Sequence, residues 1–313
     1  MSAALHKRKG DVHVLAPAQS AKGNSLWSDA WRRLRKNRLA MTCLGIVAFY
    51  TLAALYGEVV YQYYQAKDQT AFYQKTDLDQ AYQPPSFTHW MGTDALGRDV
   101  MQRLIQGTRI AYKVGIITSL IAIPIGVFFG CLAGYFGGRV DDFVVWLYST
   151  VASIPGLLFI LAIAMVVGKG LLGIYLGIGL TTWVGLCRLI RGEVMKHKEQ
   201  AYVQAARALG LSWPRILFRH ILPNVFHVII VTFTLRFPAA VSTEVIMSFL
   251  GIGVATEPSW GLMINNARMR LWQGVWWEMT FVTLAIFGLV LAFNLLGDAL
   301  RDALDPRLRT EGN

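Results

Sequence analysis

Charge is what this chain has little of. Asp, Glu, Lys and Arg make up 16% of its 313 residues while hydrophobic residues make up 54%, and an ordinary soluble domain carries about 25% charged residues. That balance excludes a soluble globular domain and indicates an integral membrane protein. Acidic residues are the scarcer sign, 19 against 30 lysines and arginines. A net charge of +11 taken alone would suit a nucleic-acid binder. Here the basic residues stand beside apolar runs, where they orient a membrane protein, and no nucleic-acid partner is expected. Cysteine is equally sparse. Cys43, Cys131 and Cys187 fall inside apolar runs without ligand spacing, which argues against a disulfide framework or a cysteine metal site.

Signatures of chemistry are missing too. No Gly-x-x-x-x-Gly-Lys-[Ser/Thr] phosphate loop occurs, since VVGKGLL at 166–172 lacks the first glycine and the hydroxyl residue. If ATP drives this protein, another chain binds it. His220 and His227 are separated by Pro223, and none of the 6 histidines forms the His-x-x-x-His pair that puts two ligands on one helical face. No catalytic or metal-ligating residue is assigned, and no cofactor is expected in this chain.

Long apolar runs, by contrast, are abundant. A helix needs roughly 20 residues to cross about 30 Å of hydrocarbon. Runs at about 39–60, 112–136, 143–167, 171–187, 224–251 and 279–297 qualify, so the expected fold is an all-α integral membrane protein with six transmembrane helices. The first run follows some 38 residues and has no Ala-x-Ala type site after it, so it is expected to be a retained span, not a cleaved signal. The fourth is the shortest and carries four glycines. Pro124 and Pro155 stand where they can bend the second and third.

Lys and Arg set the orientation. Arg32, Arg33, Arg35, Lys36 and Arg38 precede or open the first run with Trp27 and Trp31 beside them, so 1–38 is expected to be cytoplasmic. Six crossings bring 188–223 and 298–313 to the same side. The former holds Arg188, Arg191, Lys196, Lys198, Arg207, Arg215 and Arg219 against Glu193 and Glu199; the latter carries Arg301, Arg307 and Arg309. Segment 61–111 is charge-mixed, with Asp68, Asp77, Asp79, Asp94 and Asp99, and is expected to be extracytoplasmic. Within it, HWMGTDALGRDVMQRLIQGTR offers Thr93 or Asp94 as a cap, then an amphipathic helix with Val100, Leu104 and Ile105 on one side.

Arg236 and Glu244 lie inside the fifth run. At 1.5 Å per residue Arg236 is about 18 Å from its start, and a charge near the bilayer centre costs at least about 2.5–3.5 kcal/mol on insertion scales. Both are therefore expected to face away from lipid. Their spacing separates them by about 12 Å along the axis and roughly 80° around it, so a straight helix gives them no direct ion pair, although Pro238 between them can kink it. Two readings stay open: neutralisation by a neighbouring helix, or the wall of a polar pathway.

Between the fourth and fifth runs stands YVQAARALGLSWPRILFRHILPN, residues 202–224. Gln204 to Leu209 favour helix, Gly210 supplies a left-handed end, Ser212 can cap a second helix with Pro214 in its first turn, and Pro223 should end it. An interfacial helix pair lying on anionic lipid would look similar. The pattern resembles the EAA loop of permease subunits of bacterial ABC importers: Glu-Ala-Ala, three residues, Gly, nine residues, Ile-x-Leu-Pro. Ala205, Ala206, Gly210, Leu222 and Pro223 match it, while Gln204 stands in place of Glu and His220 in place of Ile. An amide at 204 keeps hydrogen bonding but gives up an ion pair.

The resemblance extends along the chain. WRRLRKNRLAM before the first run, MGTDALGRDVMQRLIQGTR before the second, AGYFGG after it, SFLGIG and PSWGLMINNA at and after the end of the fifth, and LAFNLLGDALRDALDPRLR at the end are similar to the C-type permease subunit of dipeptide, oligopeptide and nickel importers. That resemblance implies a type I permease core at 112–297 with coupling helices at 199–223. It also implies a sister permease, two ABC ATPase subunits that bind ATP and Mg, an extracytoplasmic substrate-binding protein and membrane lipid as partners, in the bacterial inner membrane. The substrates it implies are peptides, or nickel as the alternative. An ion-coupled secondary transporter would need several intramembrane carboxylates and inverted repeats; Glu244 is the sole candidate carboxylate and no repeat is evident.

Overall fold

Backbone buried in hydrocarbon must satisfy its own hydrogen bonds, and long apolar runs do so as helices. The computed structural model describes residues 26–253 and 257–304, so Arg307, Arg309 and most of the 1–38 segment lie outside the described residues. Among those described there are helices and no strand. Their order is α1 (Leu26–Lys36), α2 (Arg38–Ala66), α3 (Val100–Phe136), α4 (Gly138–Ala152), α5 (Gly156–Val167) and α6 (Leu171–Thr181), then α7 (Trp183–Lys198), α8 (Ala201–Ala208), α9 (Trp213–Arg215), α10 (Leu222–Phe249), α11 (Trp260–Arg268) and α12 (Trp277–Leu304).

Five segments are long and apolar enough to cross a membrane: Arg38–Ala66, Val100–Phe136, Leu171–Lys198, Trp213–Phe249 and Trp277–Leu304. The third apolar run, expected as one helix over 143–167, is instead the pair α4 and α5, bent by 86°. Pro155, which has no N–H to donate, stands at the break, and the Ser153 hydroxyl bonds back to the Thr150 carbonyl at 2.8 Å. Pro124 has no such effect and lies inside a continuous α3.

Three other boundaries differ from expectation. The amphipathic helix ahead of the second run and the run itself form one helix, the 37 residues of α3. Its cap is Asp99, whose carboxylate accepts from the Gln102 amide at 3.0 Å. Asp94 is committed elsewhere, to the Leu96 and Arg98 amides at 2.9 Å each, and Thr93 bonds to residues 80 and 83. Pro223 does not end a helix. From α9 the chain passes through a π-helical turn, Ile216–Ile221, into α10, and Pro223 falls in the first turn of α10. There its missing N–H breaks nothing, and the wider turn, in which Leu222 donates to the Leu217 carbonyl, leaves room for the ring. The fourth run breaks at Thr182 and continues as α7 to Lys198.

The seam between α3 and α7 organises the bundle. Gly126, Gly130 and Gly134 recur every fourth residue along α3, and a Cβ at each would lie 2.9, 2.8 and 2.7 Å from the carbonyl oxygens of Trp183, Cys187 and Arg191. Small residues at this spacing let helix backbones touch. Sequence reading passed over this Gly-x-x-x-Gly-x-x-x-Gly pattern, although it is visible there. Because the two helices run parallel, the end of α3 meets the 199–223 segment: Phe136 packs on Trp213 with ring centroids 5.2 Å apart. The start of α3 meets residues 67–99, about 55 Å away at 1.5 Å per residue. α2 and α12 are packed so that α1 and the end of α12 share the end of the bundle that carries 199–223.

Candidate functional site

The 199–223 segment is held from behind and open in front. Val203 and Ala206 of α8 enter a hydrophobic cluster with Leu186, Ile190 and Val194 of α7 and with Ile216, Leu217, Ile221 and Val225. Ala201, Gln204, Ala205 and Ala208 are exposed at i, i+3, i+4 and i+7, one stripe of the helix. Ala205 and Ala206, adjacent in the motif, therefore divide between stripe and core, since neighbours on a helix are about 100° apart. Gly210 has φ +73° with nothing within 4 Å of a Cβ built on it. Its amide donates to the Arg207 carbonyl at 2.9 Å and the Leu211 amide to Ala206 at 3.2 Å, the paired bonds of a Schellman ending.

The other residues of the segment take distinct positions. Gln204 Nε2 lies 3.4 Å from the Lys198 carbonyl and 3.5 Å from the Glu199 carboxylate, so the amide answers to its own chain. Ser212 starts α9 through its carbonyl, which accepts from Ile216 at 3.1 Å, not through its hydroxyl. Leu222 packs against the cluster, Pro223 is exposed, and the carbonyl of the half-buried His220 accepts from Asn224 Nδ2 at 2.6 Å. Arg207 lies 5.4 Å over the Tyr135 ring. The Tyr202 hydroxyl meets His197 Nδ1 at 2.8 Å, and partial burial pushes that phenol above its ordinary value.

A second candidate lies within the bundle. Arg236 of α10 reaches across to the break between α6 and α7, where its guanidinium donates to the carbonyl and the hydroxyl of Thr182. It lines a cavity of about 170 Å³ with Thr118, Ser119, Ile178, Thr182, Ala240 and Thr243. Glu244 does not share that cavity. It is 1% exposed and accepts from the Ser248 hydroxyl at 2.5 Å. No ion pair joins Arg236 to Glu244.

Sequence reading missed the charges at the far end. Arg109, 2% exposed in its side chain, is paired with Glu257 and lies 3.6 Å from Glu58, which also holds Lys113 at 2.8 Å. The Arg109 guanidinium stacks 3.8 Å from the Tyr61 ring centroid. Glu58 and Lys113 bordering consecutive apolar runs were the available signal.

Comparison with known proteins follows this geometry. Residues 126–310 match the family described as binding-protein-dependent transport system inner membrane component, and 25–85 match the N-terminal TM domain of oligopeptide transport permease C. The dipeptide transport system permease protein DppC of Bacillus subtilis (strain 168) is 40% identical over 295 residues, 93% of this chain and 90% of that protein. The oligopeptide transport system permease protein OppC of the same organism is 38% identical over 294 residues, covering 93% and 92%. The glutathione transport system permease protein GsiD of Pectobacterium atrosepticum is 34% identical over 305 residues, covering 97% and 99%. Among solved structures, a chain of the MetNI methionine ABC transporter in inward-facing conformations superposes with TM-score 0.52 at 16% identity, covering 66% of this chain and 98% of that one. The fold is that of a type I ABC importer permease. By its sequence, the chain belongs to the family of binding-protein-dependent transport system inner membrane components.

Proposed function

We propose that this chain is the C-type permease subunit of an ATP-driven peptide importer, forming half of a pathway whose other half is a sister permease. Two ATPase subunits bind ATP and Mg and dock on the 199–223 segment, and an extracytoplasmic binding protein delivers substrate at the opposite end. The carrying observation is the exposed stripe of Ala201, Gln204, Ala205 and Ala208 on a helix whose other side is anchored to α7 and α10. Movement of α8 is thereby transmitted to two membrane crossings. The basic residues of 188–223 support a cytoplasmic location for that end, and the three relatives named above favour peptide over nickel. Of the intramembrane charges, Arg236 belongs to the pathway and Glu244, buried and bonded by Ser248 of its own helix, belongs to the packing.

Reconstitution in liposomes with these partners tests the reading. ATP-dependent uptake of a labelled dipeptide or oligopeptide is expected, and uptake of nickel alone would overturn the substrate class. In a cysteine-free background, Lys75→Cys is expected to react with an impermeant reagent added outside the cell, and reaction only from inside would invert the orientation.

A further inference from the structure

The cavity around Arg236 holds a charge that nothing in it balances. Arg236 makes its two bonds to Thr182 alone, its buried Nε has no partner, and among the described residues no carboxylate forms an ion pair with it. The walls add hydroxyls of one character. Thr118, Ser119, Thr182 and Thr243 donate their O–H groups to the carbonyls of Val114, Gly115, Ile178 and Ala239, at 2.7, 2.7, 2.6 and 2.8 Å. Their donors are spent, so the oxygens they turn to the cavity can only accept. The site thus offers one cation, with free N–H donors, and several acceptors around it.

A ligand that satisfies both carries a carboxylate next to an N–H. The terminal residue of any peptide has that arrangement whatever its side chain, and at about 170 Å³ the cavity takes the end of a peptide, not a whole one. Exposed Ala239 stands at its mouth. We propose that this cavity is a subsite for the C-terminal carboxylate of the transported peptide, held by Arg236 while the wall oxygens accept from the last amide N–H. A guanidinium left without a counter-ion inside the membrane is costly, and the arriving carboxylate supplies that counter-ion through charge-assisted hydrogen bonds. The assignment rests on the peptide reading above.

The test uses the complete transporter in liposomes with a tripeptide in two forms, free acid and C-terminal amide, each loaded on the binding protein to the same occupancy. The receptor's preference is common to every permease variant, so the change in the ratio of uptake rates reports the permease alone. Arg236→Gln is expected to lower the free-over-amide ratio by about tenfold, the worth of one charge-assisted contact. Thr182→Asp, which puts a carboxylate where the guanidinium now bonds the threonine hydroxyl, is expected to lower it in the same direction and covers the case in which Arg236→Gln fails to assemble. An equal fall in uptake of both forms in Arg236→Gln, or an unchanged ratio in Thr182→Asp, overturns the subsite. Failure of the unmutated transporter to take up either form overturns the peptide reading itself, and the subsite with it.

Discussion

The polar cluster at the start of α3 and the 199–223 segment at the other end of the bundle use their polar groups in opposite ways. Around the start of α3, beneath a largely exposed 67–90 stretch, a set of polar side chains turns toward one another. Asp94 holds Arg98 at 2.7 Å and Arg103 at 3.4 Å, His89 bridges Asp99 and Gln80 at 2.9 Å each, and Trp277 Nε1 donates to the Thr93 carbonyl at 3.0 Å. Tyr73 is 2% exposed, and burial pushes its phenol above the usual range. At the end carrying 199–223, no ion pair joins Arg207, Arg215 or Arg219 to a carboxylate among the described residues, while Leu209 is 80% exposed. Side-chain hydrogen bonds made by residues 199–223 themselves reach at most six residues along the chain, although the same end also holds the Arg191–Asp141 pair, fifty residues apart at 2.6 Å. The cluster at the start of α3 is closed on itself; the arginines of 199–223 have no carboxylate partner among the described residues.

That contrast can be broken by mutation. The largest loss of stability is expected at the closed end from Arg109→Leu, which leaves Glu257 without its cation and Glu58 with Lys113 alone and costs about 3 kcal/mol; heat-induced loss of monodisperse protein in detergent measures it. Next comes Gly210→Val, because a β-branched residue at a left-handed position carries about 1–2 kcal/mol of backbone strain. With open space around the site, that strain is the whole effect on stability, so the protein should still fold while the bend between α8 and α9 is lost. Trp277→Phe, which strands the Thr93 carbonyl, is expected to cost about 1 kcal/mol by the same assay. If Gly210→Val destabilises more than Arg109→Leu, the division into a closed and an open end is wrong.

Much of this was legible because membrane spans and basic flanks are written in composition, which local competition does not alter. Gly210 was legible for a similar reason: a left-handed helix end at a defined spacing has few substitutes. The cap of α3 was not, since Thr93, Asp94 and Asp99 lie within seven residues and each can cap; the choice fell to Asp99 because tertiary contacts claimed the other two. Pro223 misled for a different reason. Proline stops a helix only where an N–H is needed, and the π turn before it removed that need. The bend between α4 and α5 and the continuous run through Pro124 show that the same residue type breaks one helix and not another. Spacing separates Ala205 from Ala206 by about 100°, but which of the two faces the core is set by the packing of α8.

The open end is tested most directly by Ala205→Trp, measured as co-purification of the ATPase subunits with the permease from membranes, alongside ATP-driven uptake. The side chain is exposed, so the amount of folded permease in the membrane is expected to stay within about 0.5 kcal/mol of wild-type stability. The small-residue stripe would then carry an indole that holds a partner's surface away. Loss of ATPase co-purification and of uptake, with normal permease abundance, is the predicted result. Full co-purification and uptake, or tighter membrane anchoring as an interfacial helix would show, would contradict the docking role of the 199–223 segment.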